Sequence, residues 1–184
     1  MTLRILFLTV LLMAQPAQAQ VPTPAAEEAL RTFYSWVLAH PSRALPSPSE
    51  RTALGKVLTP RLLQLLKDAS ATESRCVKAA PKGEKPDIVE GDLFVGNYEG
   101  ATEVAYGNQR QDGESLTVDM DLVYVDPRFP KAHKHRVVAW KDQLRLRRFD
   151  GHWLVNDVQF PQGRSLVAGL NEYIAEGART CAAR

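Results

Sequence analysis

Leu116, Val118, Met120, Leu122 and Tyr124 alternate with Thr117, Asp119, Asp121 and Val123. That period of two predicts a strand with one face turned to a core, and a strand so patterned needs neighbours. The sequence supplies them through turn chemistry. Gln111-Asp112-Gly113 precedes the alternating run, and Asp150-Gly151 joins Arg136–Arg148 directly to His152–Phe160. Leu93–Tyr98 and Thr102–Arg110 read as two further strands around Glu99-Gly100. On Arg136–Arg148, Val138, Trp140, Leu144 and Leu146 share a face. The expectation is an antiparallel meander of four to five strands.

Upstream the period changes. Thr23-Pro24 reads as an N-cap with proline at the first helical position, and Ala26, Leu30, Phe33 and Val37 recur at helical spacing as far as His40-Pro41. Ser47-Pro48-Ser49-Glu50 matches a capping box, opening a short helix to Gly55. Thr59-Pro60 repeats the start signal for a helix carrying Leu62, Leu63, Leu65 and Leu66 towards Cys76. Ala79–Pro86 reads as a surface loop. After Pro161-Gln162-Gly163, Ser165 caps a last amphipathic helix with Leu166, Leu170, Tyr173 and Ile174 inward. Helices, then antiparallel strands, then a helix predict an α+β fold, with the N-terminal helices packed on a curved sheet.

Met1–Ala19 carries an address. Arg4 gives a positive start, Ile5–Met13 is apolar apart from Thr9, and Ala17-Gln18-Ala19 is a small-x-small site with cleavage expected between Ala19 and Gln20. The apolar run is shorter than the roughly 20 residues a bilayer span needs. A secretory signal peptide over residues 1–19 and a single domain over 20–184 are expected, with the periplasm as destination. No cysteine follows the cleavage site, so no lipid anchor is expected, and no membrane span is expected in the mature chain. The 23 basic and 21 acidic side chains nearly balance, which argues against nucleic acid as a partner. In an oxidising compartment the two cysteines, Cys76 and Cys181, suggest a disulfide. Two free thiols are the alternative, and a catalytic cysteine lacks a histidine in any local signature.

Phe33-Tyr34-Ser35-Trp36-Val37-Leu38, Gly91-Asp92-Leu93-Phe94, the run Trp140–Leu146, Gly151–Val158, and Ser165-Leu166 with Leu170 together resemble the bacterial secreted proteins grouped as domain of unknown function 3828. The likeness spans Glu27–Gly177. It implies a nuclear-transport-factor-two-like, or cystatin-like, cone in which helices close a curved sheet. It carries no catalytic set. Some relatives are envelope proteins or lipoproteins, and some stand beside toxin systems.

Three groups of residues are candidates for function. Tyr34, Trp36, Phe94, Tyr98, Tyr124, Trp140 and Trp153 lie on the elements around the cone, as pocket lining if it is open and as core if it is filled. Asp142 interrupts an apolar face, and Asp157 shares one with Trp153 and Val155. An acid so placed is costly to bury unless paired. Each is therefore a structural acceptor, a ligand contact or a proton-transfer group. The loop holding Arg128, Lys131, Lys134 and Arg136 is a solvated turn or a grip for an anionic partner. His133 and His135 in the same loop have no companion ligand, so no metal is expected, and no cofactor motif is present. The expected role is non-catalytic binding of a protein or small ligand in the cell envelope, an immunity-type antagonist of a delivered toxin being one form. The alternative is a small enzyme using Asp157 or Asp142 for proton transfer or hydrolysis.

Overall fold

A computed structural model describes residues 24–41 and 44–181. The expected signal peptide, its expected cleavage site at Ala19-Gln20 and the expected Thr23 cap lie outside the described residues. Helix α1 spans Pro24–Ala39, α2 Pro48–Leu54 and α3 Pro60–Ala79. Strands β1 (Glu103–Asp112), β2 (Ser115–Val125), β3 (Val137–Phe149) and β4 (His152–Gln159) follow, then α4, Leu166–Thr180. The fold is α+β, with one antiparallel sheet in the order β1-β2-β3-β4.

Helix starts are set where the sequence places its caps. Ser47 Oγ accepts from the Glu50 N–H, and the Glu50 carboxylate accepts in return from the Ser47 N–H (2.7 Å), which completes the capping box. Thr59 caps α3 and Ser165 caps α4, each accepting from an N–H three residues on. Helix α3 runs past Cys76 to Ala79.

The register places Leu116, Val118, Met120 and Leu122 opposite Leu146, Leu144, Asp142 and Trp140, so these residues share the inner face of the sheet. Helix α1 packs across this face against β4. Phe33, Tyr34, Phe94, Leu30, Met120, Leu122 and Leu144 fill the space between, all at most 1% exposed. The space between the helices and the sheet is therefore a packed core at this level. The outer face is polar, with Lys141 paired to Asp121 and Gln143 donating to Asp119.

The free edge of β4 is covered. Thr59 N–H donates to Val155 O and Val155 N–H to Val57 O, while Phe160 N–H donates to Arg164 O. Such cover blocks edge-to-edge association. Helices α3 and α4 pack together. At their contact Gly177 is required, since a Cβ there would overlap Thr72. Cys76 and Cys181 form a disulfide just beyond, with Cα atoms 4.7 Å apart and a sequence separation of 105. A loop that long is worth ~4–5 kcal/mol if the bond acts by restricting the unfolded chain.

Leu93–Tyr98 is not a strand. The segment Gly91–Gly100 is a closed loop instead, and the sheet has four strands. Its backbone groups are taken locally. Asp92 N–H donates to Tyr98 O (2.9 Å), Phe94 N–H to Asp92 Oδ1 (2.9 Å) and Gly100 N–H to Asn97 O (3.1 Å). The consecutive residues Phe94 and Val95 are both buried, which an alternating strand on a one-sided sheet cannot achieve.

Candidate functional site

The Gly91–Gly100 loop is held to the body by two devices. Phe94 is inserted into the core, edge-on to Phe33 at 5.7 Å and to Trp36 at 5.5 Å between ring centroids. Asp142, from β3, reaches up to the loop backbone. Its Oδ2 accepts from the Gly96 N–H at 2.8 Å and from the Trp140 indole N–H at 3.2 Å. Gly96 is needed at that contact, because a Cβ would stand 2.6 Å from both Asp142 Oδ1 and Pro161 Cδ.

Asp142 is 1% exposed. Its Oδ1 and the Tyr34 hydroxyl are the buried side-chain atoms without a hydrogen-bond partner among the described residues. Burial pushes the Asp142 carboxyl above the usual carboxylate range, against the two N–H donors. Burial, and then the charge on Asp142, raise the Tyr34 phenol.

Between the loop and the β4–α4 connection lies a groove of about 470 Å³. Leu93, Tyr98, Phe160, Pro161 and Tyr173 give it apolar walls, and Glu90 and Arg164 also line it. Tyr98 is 62% exposed, the most exposed large apolar side chain of the described residues. Tyr173 donates to Asp87 O (3.1 Å); burial, with Glu73 and Asp87 nearby, pushes its phenol up to about 12. A larger groove, about 870 Å³, lies by the β3–β4 turn and mixes Arg61, Arg147 and Arg148 with Glu114 and Asp150. Pro60 and Phe149 supply its apolar lining.

The remaining sequence candidates fall elsewhere. Trp36 is half-buried and stacks on His40 at 4.4 Å. Tyr124 lies half-buried on β2 opposite Val138. Trp153 is buried near the β3–β4 turn. Asp157 is a structural acceptor, its Oδ1 taking the Val158 and Val167 N–H groups at 2.9 Å each and so holding the first turn of α4. In the basic loop, two of the four cations are used internally. Arg128 grips the buried Asp126 through both carboxylate oxygens, and Arg136 donates to the Asp126 and Phe129 carbonyls. Lys131 and Lys134 stay exposed. His133 stacks on Phe129 at 4.3 Å, and no group of three potential metal ligands forms among the described residues.

Of the nine pocket candidates, Tyr34, Trp36, Phe94, Trp140 and Asp142 form one connected cluster under the loop, and Tyr98 stands at the groove above it. The groove residues that sequence reading passes over are Gly96, Phe160, Pro161, Arg164 and Tyr173. Three glycines within Gly91–Gly100, with Asp92 and Asn97 beside them, are the turn chemistry that marks this loop. No family model, curated protein or solved structure matches the chain.

Proposed function

We propose that this is a non-catalytic binding protein of the bacterial cell envelope, and that its binding face is the groove between the Gly91–Gly100 loop and α4. The observation that carries the reading is the contrast between a filled interior and an open, apolar groove. Large side chains occupy the space under the sheet, so a ligand meets this protein at its surface. The groove falls within the ~300–1,000 Å³ usual for ligand sites, and Tyr98 offers an exposed aromatic anchor of the kind that dominates binding surfaces. The export grammar of Met1–Ala19 supports the envelope address, as does a disulfide of a type that persists in oxidising compartments. No helix among the described residues is long and apolar enough to cross a membrane. The narrower reading, an immunity-type protein that antagonises a delivered toxin, has its support in the resemblance to domain of unknown function 3828.

One observation favours the alternative of a small enzyme: Asp142 is a buried acid with an unpartnered oxygen, as general acids often are. Asp142 is 1% exposed and does not line the groove, so a substrate in the groove does not reach it.

Affinity purification from the native envelope separates groove from surface. The wild type, Tyr98→Ala and an outer-face control, Lys141→Ala, are compared. A species held by the wild type and the control but lost from Tyr98→Ala supports the groove. Equal recovery from all three, or recovery from none, counts against it.

A further inference from the structure

The pocket of about 870 Å³ by the β3–β4 turn shares no lining residue with the groove at Tyr98. Segments distant in sequence build it. The entry to α3 brings Arg61, and the Thr59 N–H bond to Val155 O (2.9 Å) fixes that entry to β4. The end of β3 brings Arg147, Arg148 and Phe149, and the Arg148 N–H bond to Glu114 O (2.8 Å) ties it to the β1–β2 turn. Elsewhere arginines are used within the fold. Arg110 pairs with Asp119, Arg128 with Asp126 and Arg179 with Glu176, while Arg136 donates to two backbone carbonyls. Among the described residues, the side chains of Arg61, Arg147 and Arg148 make no hydrogen bond or ion pair, and neither do those of Glu114 and Asp150. Asn156 accepts from Thr59 Oγ1 on its Oδ1 (3.4 Å), which leaves its amide nitrogen free to donate. Phe149 is 47% exposed beside these groups.

We propose that this pocket binds a sugar acid, a ring bearing several hydroxyls and one carboxylate. Each part of that ligand answers a part of the lining. Three arginines against two acids leave one net positive charge, which a single carboxylate neutralises. The planar guanidinium fork matches a carboxylate through two parallel N–H···O bonds. Glu114 and Asp150 can only accept, so they require donors from the ligand, and ring hydroxyls supply them. The same hydroxyls can accept from the Asn156 amide. Phe149 offers a flat apolar surface for the C–H face of the ring. A phosphate monoester suits the lining less well, because it brings nearly two negative charges and no donors towards two carboxylates. A neutral sugar leaves the arginines unmatched. This site is independent of the groove reading above, and neither needs the other.

The test is an NMR titration of the mature chain at low salt, read at the arginine side-chain N–H groups and the Asn156 amide. The probes are glucuronate, acetate, glucose and inorganic phosphate, each added alone. Glucuronate should give saturable shifts at Arg61, Arg147, Arg148 and Asn156. Acetate lacks the hydroxyls and glucose lacks the charge, so each should bind at least about tenfold more weakly, a difference of about 1.4 kcal/mol. Arg147→Gln, and Arg61→Gln on a separate element, should each weaken glucuronate several-fold. Lys134→Ala, in the exposed basic loop, should leave it unchanged. Added salt should weaken binding, as expected of exposed charges. Three results overturn the proposal: no saturable shift at the pocket, acetate or phosphate binding as tightly as glucuronate, or equal shifts at Lys131 and Lys134. None of them touches retention of a partner by Tyr98, so the two readings fail separately.

Discussion

Asp142 on β3 and Asp157 on β4 both stand among apolar residues, and both are buried, yet they serve the fold in different ways. Asp157 meets a helix N-terminus. One of its oxygens takes two backbone N–H groups, one of them in the first turn of α4. Asp142 meets a loop, with one oxygen used and the other bare beside a phenol. The first is a fastening of the fold. The second supports a segment that forms one wall of a groove. What decides between them is the supply of donors that the tertiary structure brings, which is a better guide to function than burial alone.

The largest expected effect lies on the Asp142 side. Phe94→Ala empties the plug that fixes the loop to Phe33 and Trp36 and should cost ~3–5 kcal/mol in urea unfolding. A loss under about 1.5 kcal/mol would mean that the loop is not seated by its aromatic ring. Asp157→Ala comes next. It leaves the Val158 and Val167 N–H groups without their acceptor and should cost ~1–3 kcal/mol. Hydrogen exchange should show the first turn of α4 losing protection before the Gly91–Gly100 loop does. Simultaneous loss in both would merge the two regions into one unit and break the comparison.

Asp142→Asn should have the smallest effect on stability at neutral pH, within ~1 kcal/mol of the wild type or slightly stabilising, because it removes a buried ionisable group and keeps the hydrogen bonds. Its signature is in the pH dependence. The folded-state pKa of Asp142 is raised, so the folded protein holds a proton that the unfolded chain has released. The wild type therefore loses stability as pH rises from the ordinary aspartate range through the Asp142 titration, and this component is absent from Asp142→Asn. A wild type and variant with parallel stability–pH curves would contradict the assignment of that shift to Asp142.

Much of the frame is legible in the sequence because its signals are local. Ser47, Thr59 and Ser165 cap the helices they precede, and the run from Leu116 to Tyr124 forms the strand its alternation predicts. The Cys76–Cys181 pair forms as its even count suggests. Asp157 is harder. Spacing puts it on the face of Trp153 and Val155, but Asn156 is an extra residue in the β4 register, so Asp157 pairs with Arg145 and turns towards α4. A bulge of this kind leaves no periodic mark. Leu93–Tyr98 looks like a strand by apolar content, while its backbone is taken by Asp92, Tyr98 and Asp142. The groove itself joins Leu93 and Tyr98 to Phe160 and Tyr173, residues linked only through the folded sheet.

Site-specific photocrosslinking in cells tests the central claim most directly. A photoreactive residue replaces Tyr98 in the groove or, in a separate chain, Lys141 on the outer face. The account predicts a discrete crosslinked product from position 98 and none from position 141. Products of equal intensity from both positions, or none from position 98, would contradict it.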